Sequence, residues 1–301
     1  MKVLILGNSG IFQRKIFPSL TKFKKISIEV ASRRKNNFNK NIKTYKSYKE
    51  SIKKSDANIV YISLINSLHF KWALFALKNN KHVIIDKPFT LKSKETDKLI
   101  NYAYKKKLFL SEAVVFHEHA RFKNLIKRIN KKKKTNIFAS FHIPRLKKNN
   151  FRNYIKFGGG CFNDMSTYGA YLIFLFLYKK KYQIKKINNK KNLNEFFSLR
   201  VNSKFVNIDA TFKFNSDYKN EIVIANNSNK YLINYAFSPP IDKKTYITTQ
   251  YAKKKEYKFS FQKQNAFDVY FSNIFSLIKK KKYKFFYEEI KEISKIKKKI
   301  Q

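Results

Sequence analysis

Three short stretches hold residue types whose spacing could do chemistry. LILGNSGIF (Leu4–Phe12) joins an apolar run to an amphipathic one through a glycine. Glycine lets the backbone turn tightly and bring amide groups toward a pyrophosphate at a helix N-terminus. Gly7 takes the first place of that fingerprint, Ser9 the second and Phe12 the third, with Asn8, Gly10 and Ile11 between them. So degenerate a pattern fits either a dinucleotide turn or an ordinary strand-to-helix turn. EVASRRKNNF (Glu29–Phe38) offers Ser32, Arg33 and Arg34 where NAD sites commonly place a carboxylate for the ribose hydroxyls. A guanidinium can grip the 2′-phosphate of NADP by two hydrogen bonds. The alternative is surface basicity, but arginine is scarce, eight among 67 basic residues, and two in succession here favour NADP. The third stretch, KHVIIDKPFT (Lys81–Thr90), ends a short apolar run in Asp86 and Lys87, with the backbone stiffened behind them by Pro88. The residue before a proline is pushed to extended geometry, so Pro88 fixes the aim of Lys87.

The elements that must position these groups alternate between strand and helix signals over roughly the first 115 residues. KVLIL, ISIEV, NIVYISL, HVIID and LFLSEA read as strands, and HFKWALFALKNN and SKETDKLINYAYKKK as helices, the latter with Ser93 as N-cap. Such repetition predicts an α/β unit with a doubly wound parallel sheet and right-handed crossovers. Ser63, Leu64 and Asn66, in the loop after the third strand, then lie beside the cofactor, while His69 is either a weak contact there or a polar helix start. In the second half a helix around 119–130 precedes the strand NIFASFHI. GGGCFNDMSTYGAYLIFLFLY follows as a glycine turn opening a long apolar helix. Six further strand-like runs predict a mainly antiparallel sheet, and two helices close the chain. Asp164 and Tyr168 stand four apart and face one direction on that helix. They are either site residues or the polar first turn of a core helix.

Composition limits the function classes. In 301 residues, 43% are hydrophobic, so a formal charge of +48 does not make the chain a disordered polyelectrolyte. The lysines are scattered through every segment rather than gathered into a stripe, which reads as a solvated surface and not as a specific nucleic-acid site. The positive field favours an anionic substrate. The single cysteine, Cys161, excludes an internal disulfide and a thiolate zinc cluster. His117 and His119 flank Glu118, but nothing further supports a metal, and none is expected. His117 either lines a cleft or packs. The first apolar run has five residues, short for a signal peptide, and the longest has eleven against roughly 18 for a membrane span. A soluble cytoplasmic protein is expected.

These spacings, taken with Asp-Lys-Pro, resemble the Gfo/Idh/MocA family of NAD(P)-dependent oxidoreductases. HVIIDKPFT matches the family's Glu-Lys-Pro, with Asp86 one methylene shorter, and GGGCFNDMSTY its Gly-Gly-Gly…Asp-x-Gly-x-x-His/Tyr pattern, with Ser166 at the glycine place. VFHEHARFK and NFRNYIKFGGG resemble the nucleotide-sugar 3-ketoreductase and dihydrodiol dehydrogenase subgroup. The resemblance implies a Rossmann domain (1–117) and an open-sheet α+β domain (118–301) for substrate and a homo-oligomer interface. It implies Lys87 as acid/base group, Tyr168 sharing that work, Asp164 orienting the sugar or the tyrosine, and Arg152 at the nicotinamide end or a substrate anion. It also commonly makes the Lys–Pro bond cis. The expected activity is hydride transfer between NADP, or NAD, and a keto or hydroxyl carbon of a sugar-like substrate, a nucleotide-sugar ketone first. The rivals are a dehydrogenase of a free sugar, inositol or dihydrodiol, and a non-catalytic cofactor- or polyanion-binding protein.

Overall fold

The computed structural model describes residues 1–33, 42–129, 133–185, 193–251 and 256–301. Two compact units divide the chain: 1–114 with 267–292, and 115–266 with 293–301. In the first, β1 (Lys2–Leu6) leads into a π-helical turn at Phe12–Ile16 and then α1 (Phe17–Leu20). There follow β2 (Ser27–Ala31), β3 (Lys43–Tyr45), α2 (Tyr48–Lys54), β4 (Ile59–Ile62), α3 (His69–Lys78), β5 (His82–Asp86), α4 (Ser93–Lys105) and β6 (Leu110–Ala113). The sheet order is β3-β2-β1-β4-β5-β6, with every pairing parallel. That is the Rossmann order, which reverses between β1 and β4 and opens a crevice beyond the carboxyl ends of the strands. All four residues of β4 and of β6 are buried, as strands covered on both faces must be.

Three features of this unit depart from the sequence expectation. β3 and α2 form where no element was read; Ser47 caps α2 by accepting the Glu50 amide at 3.3 Å. Ser93 is the first helical residue of α4 rather than its cap, because Lys92 holds the cap position without a side-chain bond. The division falls at 114 rather than 117, and 267–292 returns to the first unit. The cause is the apolar face of α7 (Ala266–Lys279): Phe267, Tyr270, Phe271, Ile274, Phe275 and Ile278 recur at helical spacing and all are buried. Phe271 meets Tyr61 edge-on at 6.0 Å, and Tyr270 Oη bonds Ser111 Oγ at 2.7 Å.

In the second unit, β7 (Thr135–His142) lies in an eight-stranded sheet ordered β14-β13-β12-β11-β7-β10-β9-β8. Its other strands are β8 (Gln183–Lys185), β9 (Phe196–Asn202), β10 (Val206–Lys213), β11 (Lys219–Ala225), β12 (Asn229–Asn234), β13 (Thr245–Tyr251) and β14 (Glu256–Phe261). Among the described residues of this sheet only β7 and β10 pair in parallel. Strict alternation in β7 and β10 buries Ile137, Ala139 and Phe141, and Ile208, Ala210 and Phe212, on one face. That face takes the apolar helix α6 (Cys161–Leu177), where a Cβ on Gly169 would come within 2.6 Å of Leu199 Cδ2. Ahead of the sheet runs α5 (Ala120–Arg128), and α8 (Lys284–Ile300) ends the chain. Among the described residues no helix is long and apolar enough to cross a membrane.

Truncation of Phe271 removes a fully buried ring from the first unit. Phe271→Ala should cost about 3–5 kcal/mol, read as a lower urea midpoint; an unchanged midpoint would show that α7 does not hold that unit together.

Candidate active site

At the end of β1 the chain must pass under β4. Gly7 adopts φ 101° and donates its amide to Ala31 O at 2.8 Å. A Cβ there would sit 2.2 Å from Ser63 O, so only glycine fits. Ser9, in the place of the second glycine, does capping work: its Oγ accepts the Phe12 amide at 3.1 Å and shares a hydrogen bond with Ser63 Oγ at 2.7 Å. Asn8 Oδ1 accepts from Gln13 Nε2 at 2.9 Å. Gly10 and Ile11 remain exposed at the lip of the turn. Beyond β2, Ser32 is buried and gives its amide to Tyr45 O at 2.9 Å, while the exposed Arg33 guanidinium lies 5.9 Å from the centre of the Tyr48 ring. Arg34 lies outside the described residues.

Parallel pairing brings the carboxyl ends of β1, β4 and β5 to one sheet edge. There Tyr61 Oη donates to Asp86 Oδ1 and Ser63 Oγ to Asp86 Oδ2, each at 2.5 Å. Burial pushes the Asp86 carboxyl above its ordinary range; Ser63 and Tyr61, then charge at His69 and Lys87, pull it back. Burial also drives the Tyr61 phenol well up, so it stays a donor. Lys87, half-buried, follows directly, and the Lys87–Pro88 peptide is cis. Behind it, Glu112 Oε1 accepts the Phe89 amide at 2.8 Å.

His69 is the first residue of α3, the helix-start place that is one of its two readings. It is fully buried, with Nδ1 2.7 Å from Pro88 O and Nε2 3.1 Å from Leu64 O. Both ring nitrogens lie against main-chain carbonyls, of which the one N–H of a neutral imidazole can donate to one, and the ring packs between the proline and the loop of half-buried Leu64 and buried Asn66. Burial lowers its pKa against the pull of those carbonyls and of Asp86.

In the second unit the Gly-Gly-Gly turn folds over the main chain of Arg152. Gly158 and Gly160 have φ of 78° and 93°, Gly160 donates to Arg152 O at 2.8 Å, and a Cβ on Gly159 would meet that oxygen at 2.4 Å. Arg152 Nε in turn donates to Asp164 Oδ1 at 3.1 Å, and its guanidinium lies 4.7 Å from the Phe151 ring centre. The arginine expected at a cofactor or substrate anion therefore holds the buried Asp164 in the first turn of α6. One turn on, the half-buried Tyr168 ring is set by Phe116, Phe141 and Phe237, at 6.0, 5.3 and 5.2 Å. His117 stacks on Tyr171 at 5.4 Å with 16° between the planes. Among the described residues no group of histidine, cysteine or carboxylate side chains could hold a metal.

Tyr61 and Glu112 escaped the sequence reading. Their only signal was a polar group inside a four-residue apolar strand, and their partners depend on strand register. For a dinucleotide, the first unit fits: Gly10 and Ile11 leave the lip of the turn beyond β1 exposed, and the Arg33 guanidinium is exposed just beyond β2.

Comparison with known proteins agrees. Residues 1–114 match the GFO_IDH_MocA profile, described as an oxidoreductase family with an NAD-binding Rossmann fold. A dTDP-3,4-didehydro-2,6-dideoxy-alpha-D-glucose 3-reductase of Saccharopolyspora spinosa is 30% identical over 126 residues, covering 41% of this chain and 38% of that protein. The D-xylose 1-dehydrogenase (NADP(+)) of Hypocrea jecorina is 42% identical over 72 residues, 24% of this chain and 18% of its own. The chain thus spans well under two thirds of these relatives. A 3-ketoreductase from Actinomadura kijaniata, solved with NADP and TDP-benzene, superposes with a TM-score of 0.89 over 100% of this chain and 96% of its own, at 18% identity, a likeness of fold. With the profile covering the Rossmann sheet whose order and glycine turn are described above, the first unit is an NAD(P)-binding Rossmann domain like that of the Gfo/Idh/MocA oxidoreductases.

Proposed function

We propose that this chain is an NADP-preferring oxidoreductase acting on a keto or hydroxyl carbon of a sugar-like substrate, a nucleotide-sugar ketone first. The observation that carries the reading is the hydrogen-bonded path from Ser9 in the dinucleotide turn through Ser63 to Asp86, the residue before Lys87. It ties an amine to the sheet edge that receives the cofactor. The bound cofactor supplies the hydride. In the reducing direction the carbonyl oxygen gathers negative charge; Lys87 as ammonium gives it a proton, and the Tyr168 hydroxyl shares that hydrogen-bonding work. Asp164, held by Arg152, orients the sugar or the tyrosine. Arg33 takes the 2′-phosphate.

The charge of +48 favours a substrate carrying phosphates over a neutral one. A free-sugar, inositol or dihydrodiol dehydrogenase is the second reading, supported by relatives bearing those names. A cofactor- or polyanion-binding protein without turnover is the rival of another class, and Lys87 and Tyr168 together speak against it. A second copy of the chain is the partner we assign to the open face of the large sheet. Across that face register aligns Arg200, Asp209, Phe138, Val223, Leu232 and Thr248. Arg200 and Asp209 neutralise each other at 2.6 Å, and Phe138 is 47% exposed. The row ends in Lys185 and Lys258 on the two edge strands, and the lysine-free stretch between them is where so basic a chain can meet itself.

Three outcomes are expected. With NADPH and a panel of dTDP-linked and free ketosugars, Lys87→Ala should lose roughly 10²–10⁴-fold in turnover while binding NADPH normally; parental turnover would remove the mechanism. Arg33→Ala should weaken NADPH about tenfold or more and NADH little, by fluorescence titration; equal losses would defeat the 2′-phosphate role. Light scattering should show an oligomer that Phe138→Lys dissociates, and a monomeric parent protein would end the assembly reading.

A further inference from the structure

We propose that Tyr61 and Ser63 are positioning residues for Lys87, clamping both oxygens of the Asp86 carboxylate and passing that clamp through Ser63 to Ser9 in the dinucleotide turn. The inference rests on the reading of Lys87 as the acid/base group, and extends it to two hydroxyls that need not touch substrate.

Tyr61 is fully buried in β4. Its ring packs edge-on against Phe271, work that phenylalanine would do equally well. What the hydroxyl adds is the bond to Asp86 Oδ1 at 2.5 Å, mirrored by Ser63 on Oδ2. Two hydroxyls from the neighbouring strand come to meet the short Asp86 side chain. The carboxylate is thus fixed in direction at the residue bonded to Lys87.

The charges facing Asp86 give the clamp its consequence. From α3 comes His69, from its own strand end Lys87, and from β4 the Tyr61 phenol. Tyr270 of α7 faces Tyr61 rather than the carboxylate. Glu112 of β6 is opposite Ile85 and spends an oxygen on the Phe89 amide. Two donated hydroxyl bonds oppose the cost of burying the Asp86 charge, which on balance still raises its pKa. The further they hold the carboxyl toward its ionised form, the more it favours the ammonium form of Lys87, the form that can give a proton.

The test is a double-mutant cycle on the full chain. It uses NADPH and the ketosugar turned over fastest in the panel above, with NADPH binding followed separately by fluorescence. Tyr61→Phe should lower kcat about tenfold, move the alkaline limb of the kcat profile to lower pH, and leave NADPH affinity within about twofold. In an Asp86→Asn background the same substitution should cost nothing further, since its only route to Lys87 is gone. Ser63→Ala should lower kcat and also weaken NADPH, because Ser9 loses its partner. Additive losses of Tyr61→Phe and Asp86→Asn, or an unshifted profile, would overturn the inference and leave a packing role. If Lys87→Ala is inactive while Tyr61→Phe is silent, this inference alone fails; if Lys87→Ala turns over normally, the catalytic reading fails and this one with it.

Discussion

A carboxylate half-buried at the end of a β-strand is costly, and the first unit is arranged around one. Taking the Asp86 charge out of water without partners would cost several kcal/mol. Its two oxygens instead receive hydroxyls from β4, and the Lys87 charge beside it lowers its pKa further. This constraint sets the neighbourhood. Tyr61 must be a donor within an otherwise apolar strand. Ser63 must turn one side of its hydroxyl to Asp86 and the other to Ser9, which fixes the turn beyond β1. His69 must brace Pro88 to Leu64 so that the chain leaving Asp86 and the loop leaving β4 keep one spacing.

Glycine supplies the complementary constraint, close approach of backbone. At Gly7 the nearest obstacle to a side chain is the carbonyl of Ser63, the residue whose hydroxyl also serves Asp86. The first glycine of the fingerprint is therefore required by the strand crossing itself, before any cofactor binds. At Gly159 the obstacle is the carbonyl of Arg152, and the same arginine's guanidinium is then brought to Asp164. In each unit a glycine turn and a carboxylate are parts of one device: the turn brings backbone near, and the acid fixes what stands beside it.

Much of this was legible in sequence because it is periodic. The parallel strands read as apolar runs, the antiparallel ones as alternation, and α6 as an apolar helix behind a glycine turn. What escaped depends on contacts between elements. A three-residue edge strand such as β3 is too short to show a period. α7 reads as an amphipathic helix, but nothing local says which unit it will cover. His69 and Arg152 are polar residues near motifs, and sequence alone does not name their protein partners. Those come from the folded register: main-chain carbonyls of Pro88 and Leu64 beside the histidine, the Asp164 carboxylate for the arginine. Position along a motif identifies a neighbourhood; which partner a side chain takes is decided by the strand or turn packed against it.

The distribution of acids supports that distinction. The chain has 19 acidic residues against 67 basic ones, so a carboxylate on its surface has a cation nearby almost anywhere and contributes little by any single pairing. Buried and half-buried carboxylates are another matter. Glu29 accepts from Tyr45 Oη at 3.0 Å behind the tip of β2, Glu112 from the Phe89 amide, Asp86 from two hydroxyls and Asp164 from Arg152. Every one stands behind a segment assigned here to cofactor or substrate. A lysine in any of these places would present donors to donors and bury a charge of the wrong sign. Basic drift can therefore cover the exterior without penalty, while the few acids it cannot replace mark where hydrogen-bond geometry fixes β2, β5, β6 and the first turn of α6.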